Sequence, residues 1–140
     1  QTRSLFSLLL HTAETELSYY SRKLRLRQLE GQRKMSLKWP DKDPDDQLDY
    51  SINWTEQLEG DTISSIVWKI FDADGVLQTW SSGEIVNGLQ HVSSTNTNTV
   101  ATIYLGSGTA FTTYKIVCRM TASDATIIEQ EVRIRVVEKN

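Results

Sequence analysis

Apolar and polar residues alternate with a period of two over most of the chain from residue 47 onward. The first run, LDYSINW at residues 48–54, has apolar side chains at every second position, with Asp, Ser and Asn between them. Successive side chains of a strand point to opposite faces, so this pattern predicts strands with one buried side. Three later runs repeat it, with the predicted inward sets Ile66, Trp68 and Ile70; Tyr114, Ile116, Cys118 and Met120; and Val132, Ile134 and Val136.

Turn-forming residues separate these runs. DADG at residues 72–75 ends in Asp-Gly and predicts a tight hairpin, because glycine accepts the positive φ that such turns need. GSG at residues 106–108 predicts another turn, and the polar run SSTNTNT at residues 93–99 predicts an exposed loop or edge. A short strand is expected at Val76–Trp80, and no helical pattern follows Met35. The sequence therefore predicts an all-β fold, a small antiparallel β-sandwich.

The first 34 residues follow a different period. From Ser4 to about Glu30, leucines and tyrosines recur at spacings of three and four, with no Pro or Gly until Gly31. This pattern predicts a long amphipathic helix, or arm, that ends with Gly31 as its C-cap. A second interpretation is that the domain begins at Met35 and that residues 1–34 are an upstream extension of the reading frame.

The net charge of −3 over 140 residues hides a difference between these two parts. Residues 1–34 contain seven Lys and Arg against three Glu, a net of +4, whereas residues 35–140 contain eight against fifteen acids, a net of −7. The length suits one domain with an extra segment, so we predict a basic helical N-terminal arm at residues 1–34 and a β-sandwich domain at residues 35–140. The apolar run LFSLLL at residues 5–10 is too short to span a membrane and poor as a signal sequence. We therefore expect a protein made in the cytoplasm, with no membrane partner.

Candidate chemistry is sparse. The acidic stretch DKDPDD at residues 41–46 lacks the Gly and Glu that a calcium loop needs at its sixth and twelfth positions, so we interpret it as an acidic turn before the first strand. Its proline favours a stiff, extended connection. The single cysteine, Cys118, lies among alternating apolar residues and is predicted to be a buried thiol. His11 and His91 belong to no nucleophile motif, so we predict no catalytic residue, no metal site and no cofactor.

Candidate partner-binding residues come from two features. The basic run RKLRLR at residues 22–27 favours a solvated or protein-facing helix surface, with nucleic acid as the less favoured alternative. Trp39 and Trp80 lie where an aromatic side chain either covers the edge of the core, which we favour, or anchors a partner. The predicted partner-binding set is Leu8, Tyr20, Leu24, Arg25, Trp39 and Trp80.

Several segments occur in an order that resembles a known family. They are KDPD at Lys42–Asp45, LDYSINW at Leu48–Trp54, GDTI at Gly60–Ile63, SIVW at Ser65–Trp68, the segment Tyr104–Tyr114, and a closing strand rich in Arg and Val at Val132–Val137. Over about residues 36–138 this order resembles the fibre-tail adaptor proteins of tailed phages, in which the fifth segment follows the pattern YLxGGTxGTxY. Phe111 stands where that pattern has the glycine of its GTxG turn, and SDA at residues 123–125 replaces a hairpin that contains glycine. We expect both loops to be reshaped.

The resemblance implies an immunoglobulin-like β-sandwich in a virion, without catalysis. It implies other virion proteins as partners, namely tail or neck components, a fibre or spike, and alternatively the coat protein, in a symmetric multimeric assembly. The leading function is an adaptor that joins the tail or neck to fibres or spikes. A capsid decoration protein is the alternative. A carbohydrate-binding module is the third, and it would need exposed Trp39 and Trp80 in a shared groove.

Overall fold

A computed structural model describes residues 37–139, so the predicted helical arm lies outside the described residues. The described part contains nine strands and one helical turn. These are β1 (Leu37–Lys38), β2 (Leu48–Asn53), α1 (Thr55–Leu58), β3 (Ile63–Phe71), β4 (Leu77–Thr79), β5 (Ile85–Val86), β6 (Leu89–Asn96), β7 (Val100–Ser107), β8 (Thr112–Ala122) and β9 (Ile127–Val136). The prediction of an all-β fold is confirmed.

The strands form two sheets. Strands β1, β9, β8, β3 and β4 form a five-stranded sheet in that order, and β2, β7, β6 and β5 form a four-stranded sheet. Neighbouring strands are antiparallel except for β1, which runs parallel to β9 and corrects the wholly antiparallel prediction. The long β8–β9 hairpin keeps one register from Thr112 opposite Val136 to Thr121 opposite Ile127. This unbroken register places side chains of both strands in regular rows.

One hydrophobic core takes side chains from both sheets. The inward sets predicted on β8 and β9 are fully covered, as are Trp68 and Ile70 on β3. On β2 the alternation holds for Tyr50 and Ile52 and continues to Trp54 after the strand, whereas Leu48 at its first position is 37% exposed. Burying large apolar side chains stabilises the fold by about 1.5–3 kcal/mol each, so this shared core is the main source of stability.

Two local features add to the expectations from the sequence. The polar run at residues 93–99 was expected to be an exposed loop or edge, and its first four residues, Ser93–Asn96, continue strand β6 where that strand pairs with β7 on one side only. Their side chains are exposed, and the backbone ladder forms regardless because threonine suits strands. The helical turn α1 was not predicted. It follows Asn53, whose side-chain oxygen accepts the backbone N–H of Thr55 at 2.9 Å.

The DADG hairpin forms as predicted. The carboxylate of Asp72 accepts the backbone N–H groups of Asp74 and Val76, each at 2.9 Å. Gly75 has φ = +81°, the conformation for which glycine is suited. This turn joins β3 to β4 at the edge of the five-stranded sheet.

Burial protects the only cysteine. Burial raises the pKa of the Cys118 thiol to about 12, and the thiolate is the reactive form. We expect Cys118 to react with an aromatic disulfide reagent at pH 8 at least about 100-fold more slowly in the native protein than in guanidinium chloride. Absorbance of the released thiol measures both rates, and equal rates would contradict the buried placement.

Candidate functional site

The KDPD motif and the Tyr104–Tyr114 segment meet at one end of the described domain. Lys42, in the KDPD motif, is 0% exposed. Its ammonium donates to the carbonyl oxygen of Asp43 at 2.9 Å and to the carbonyl oxygen of Ser107, 65 residues later in the chain. A buried charge is strongly unfavourable unless it is bonded, so the two carbonyl groups are what allow the lysine to lie inside. Lys42 therefore joins the KDPD motif to the Tyr104–Tyr114 segment.

The backbone of Lys42 extends this junction to the last strand. Its N–H donates to the carbonyl oxygen of Arg135 at 2.9 Å, and its carbonyl oxygen accepts the N–H of Val137 at 2.8 Å. Lys42 thus pairs with Val136 in a parallel bridge. Burial lowers the pKa of the Lys42 ammonium, and the carboxylates of Asp46, Asp43 and Asp45 oppose that effect.

Asp43 organises the acidic turn. One carboxylate oxygen accepts the backbone N–H of Asp45 at 2.8 Å, and the other accepts the backbone N–H of Lys139 at 2.9 Å. These two hydrogen bonds lower the pKa of Asp43. The N–H of Asp46 donates to the carbonyl oxygen of Asp43 at 3.0 Å and closes the turn. The stretch DKDPDD is therefore a turn that leads into β2, which agrees with the interpretation favoured from the sequence.

The loop between β7 and β8 is built around left-handed backbone. Ser107, Gly108 and Phe111 have φ values of +57°, +108° and +65°. A Cβ atom at Gly108 would lie 2.9 Å from a methyl carbon of Val136, so only glycine fits between the loop and β9. The hydroxyl of Tyr114 accepts the backbone N–H of Thr109 at 2.9 Å and donates to a carbonyl oxygen in the β5–β6 turn. The loop is held at both its start and its end.

These contacting segments, residues 42–46, 87–88 and 107–114, are called the motif end below. The β5–β6 turn takes part through Asn87, whose carbonyl oxygen accepts the Tyr114 hydroxyl at 2.7 Å. The carbonyl oxygen of Gly88 accepts the N–H of Gly108 at 2.8 Å. The motif end therefore has a rigid base made of hydrogen bonds between three loops.

The departures from the family pattern fall on left-handed positions. Phe111 and Ala125 have φ values of +65° and +73°, in the left-handed region that glycine accepts without strain. Ser107 stands at a third position where the pattern YLxGGTxGTxY has glycine, and its φ is also positive. Residues with a Cβ lie in this region at a cost of about 1–2 kcal/mol each. The substitutions therefore add local strain.

The predicted partner-binding residues divide into two groups. Leu8, Tyr20, Leu24 and Arg25 lie outside the described residues and stay predictions. Trp39 is 7% exposed, its ring stacked on Tyr50 with centroids 4.9 Å apart. Trp80 is 1% exposed and donates its indole N–H to the carbonyl oxygen of Glu84 at 3.1 Å. Both indoles are packed into the core, the alternative favoured for them from the sequence.

This packing bears on the carbohydrate-binding alternative. Trp39 contacts Tyr50 and, at a centroid distance of 6.2 Å, Trp68, whereas Trp80 packs edge-on against the ring of His91. A sugar-stacking platform needs exposed aromatic faces. Both rings are buried in the core, so they do not form the exposed groove that this alternative requires.

His91 packs against Trp80 and lies within hydrogen-bond distance of its backbone. Its Nδ1 lies 2.8 Å from the carbonyl oxygen of Trp80, and burial lowers the pKa of its imidazole.

Among residues 37–139, no group of three or more His, Cys, Asp or Glu side chains is placed to hold a metal ion. Within the same range, no helix is long and apolar enough to cross a membrane.

Sequence reasoning missed two residues of the motif end. Lys42 belongs to the KDPD motif, but nothing in the pattern marks it as buried, since lysine is usually exposed. Ser107 was detectable, because the family pattern has glycine at its position. Only the structure shows that the Lys42 ammonium donates a hydrogen bond to the backbone carbonyl oxygen of Ser107.

Removing the Lys42 ammonium should destabilise the fold. Lys42→Met leaves the buried carbonyl groups of Asp43 and Ser107 without their donor, and we expect the free energy of unfolding to fall by about 2–3 kcal/mol. Lys38→Met, an exposed lysine of the same segment, should change it by less than about 0.5 kcal/mol. Urea denaturation followed by tryptophan fluorescence measures both. Equal stability of the two variants would contradict the role of Lys42.

Asp43 should contribute to acid sensitivity. Its folded pKa is lowered, so the folded protein binds this proton less readily than the unfolded chain. Its contribution to stability is therefore present above the unfolded pKa of 3.8 and is lost as the pH falls through the lower folded pKa. We expect Asp43→Asn to be less stable than wild type at pH 7, with the difference shrinking below about pH 4. Urea midpoints across this range test it, and a difference independent of pH would contradict it.

Comparison with known proteins agrees with the motifs. No curated protein matches the chain. A family model described as podophage GP4 fiber-tail adaptor protein gp77 matches residues 42–135, a stretch that begins at the motif lysine and includes the whole Tyr104–Tyr114 segment. This match covers more than half of the chain and confirms the resemblance found in the sequence. The chain belongs to the podophage GP4 fiber-tail adaptor protein gp77 family.

Proposed function

We propose that the protein is a non-enzymatic structural adaptor of a tailed-phage virion that joins the tail or neck to fibres or spikes. Its family supports a structural adaptor role. We further propose that the two sheets form an immunoglobulin-like sandwich, a scaffold on which loops commonly carry the binding function. In this proposal the motif end contacts a virion partner, with Phe111 as the anchor.

The proposal rests on the exposure and the backbone conformation of Phe111. This residue is 67% exposed, the largest exposed fraction among the large apolar residues described. Its φ of +65° is a strained conformation for an aromatic residue. A glycine would relieve this strain, and the ring contributes little burial to the described domain. An aromatic residue kept under these conditions is better explained by a contact outside the domain, because exposed aromatics are frequent anchors of protein interfaces.

The base beneath Phe111 suits it to this role. The N–H of Phe111 donates to the carbonyl oxygen of Val136 at 2.6 Å, which ties the residue to the end of β9. Tyr114 and Lys42 hold the two ends of the same loop. A loop that is already ordered loses less conformational entropy on binding, so its contacts contribute more to affinity.

Replacing Phe111 by glycine should separate binding from folding. Phe111→Gly relieves backbone strain but raises the conformational entropy of the unfolded chain. Because these effects oppose each other, we expect the free energy of unfolding to change by no more than about 1 kcal/mol. Incorporation into particles should fall about tenfold or more, as expected for the loss of an aromatic anchor. Thermal unfolding of the purified protein and quantitative mass spectrometry of purified particles are the two measurements.

Ala125→Gly is the matched control. It makes the same backbone change at a left-handed position in the β8–β9 turn, with φ = +73°, and should leave incorporation unchanged. Normal incorporation of Phe111→Gly would show that Phe111 is not the anchor.

The same mass spectrometry measures the copy number of the protein relative to the major coat protein. A handful or a dozen copies per particle supports the adaptor role, whereas hundreds would indicate a head decoration protein.

A further inference from the structure

Basic residues are concentrated on one surface of the domain. The alternation of strands β1, β9, β8 and β3 directs six of them away from the core, on the outer face of the five-stranded sheet: Lys38, Lys69, Lys115, Arg119, Arg133 and Arg135. This face carries only two acids, Glu129 and Glu131, and therefore a net charge of 6 − 2 = +4. The rest of residues 35–140 contains two lysines and thirteen acids, a net of 2 − 13 = −11. The domain is strongly polarised.

Three of these cations form a row across neighbouring strands. Arg133 on β9 lies directly opposite Lys115 on β8, and on its other side it is paired with Lys38 on β1. These three residues are called the cationic row. Like charges directly opposite each other destabilise a sheet, so the row is unfavourable for the isolated domain.

The two acids of this face offset the charge of the row only in part. Glu131 lies 3.7 Å from the Arg133 guanidinium. Glu129 lies further along β9, next to Lys69 at 3.4 Å and Arg119 at 3.9 Å. Among the described residues, neither Lys38 nor Lys115 is in an ion pair. A carboxylate-rich surface placed on the row would relieve the repulsion.

The same domain exposes such a surface elsewhere. Asp45, Asp46 and Asp49 are all exposed, on the turn before β2 and at the start of that strand. Burial and the charges of Asp46, Asp41 and Asp49 together raise the pKa of Tyr50, which follows Asp49, to about 12, and burial has the largest effect. The one lysine among them, Lys42, is buried. Strand β2 is an edge of the four-stranded sheet, so this acidic segment, Asp45–Asp49, is accessible.

We propose that the cationic row of one copy of the chain binds the acidic segment of a second copy. The two surfaces are different, so the contact is head-to-tail and leaves one surface of each kind open for the next copy. Repeated contacts of this kind produce a ring if they close on themselves and an open filament if they do not. A nucleic acid is less favoured as the occupant, because Glu129 and Glu131 lie on the same face and the rest of the domain repels phosphates.

Sedimentation of the full chain tests the contact. At about 50 mM NaCl, where charges are weakly screened, we expect the weight-average mass to rise with concentration above the monomer mass of 16.0 kDa. At about 500 mM NaCl the rise should disappear, because the interaction is between exposed charges. A mass that stays at the monomer value up to high concentration at low salt would overturn the proposal.

Charge reversal makes the test specific. Lys38→Glu with Lys115→Glu turns the row into alternating charges, and Asp45→Lys with Asp49→Lys makes the acidic segment basic. Each double variant alone should remain a monomer at low salt, while an equimolar mixture should associate again, because each reversed surface meets a complementary one. Failure of the mixture to associate would overturn the pairing of these two surfaces.

A matched control and a competing ligand complete the design. Glu56→Lys with Asp74→Lys makes the same change in net charge as Asp45→Lys with Asp49→Lys, at exposed positions outside both surfaces, and should associate like wild type. If it is as monomeric as the other variants, the effect is one of net charge and the proposal fails. Binding of a 20-base-pair DNA duplex that depends on Lys38 and Lys115, without self-association, would assign the row to nucleic acid instead. Particles that incorporate a non-associating variant normally would leave the adaptor role intact and remove only the head-to-tail contact.

Discussion

The Lys42 ammonium lies in a part of the molecule closed to water, where it bonds the backbone carbonyl oxygens of Asp43 and Ser107. Desolvating this charge is costly, and the lysine remains inside because the two carbonyl groups and nearby carboxylates compensate. The same residue pairs through its backbone with the end of β9. The turn before β2, the β7–β8 loop and the end of the last strand are therefore positioned by one residue, through its side chain and its backbone. Loss of the Lys42 hydrogen bonds would therefore disturb strands of both sheets.

The rigid base at the motif end explains how strained residues persist on the surface. Phe111 and Ser107 hold left-handed backbone that neither side chain favours, and the bonds of Tyr114 and Lys42 at either end of the loop outweigh that local cost. Strained residues tend to gather where function requires a fixed geometry. Here the strain and the exposed aromatic ring fall on the same residue, which links the local backbone to the proposed contact with a virion partner.

Charge distribution in this domain depends on register rather than on composition. The β8–β9 hairpin keeps one register, so Lys115 and Arg133 must be neighbours, and the short strand β1 adds Lys38 to the same row. A shift of one residue would have turned these cations toward the core. The net charge of −7 for residues 35–140 conceals this arrangement, because most of the acids lie in turns and loops, whereas six of the eight cations lie on one sheet face.

Periodicity determined much of this protein from the sequence alone. The inward positions on β8 and β9, the Asp-Gly hairpin and the buried thiol follow from residues near one another in the chain, where alternation and turn chemistry act locally. The family resemblance likewise depends on the order of short segments. Tertiary structure decided what depends on distant neighbours. Lys42 is buried where the distant Ser107 supplies one of its two acceptors, β1 is parallel because it meets β9, and Trp39 and Trp80 belong to the core because the sheets cover them. Such contacts join residues far apart in the chain. A local sequence pattern does not show which distant residue a side chain will contact, so it does not show how much that contact stabilises the fold.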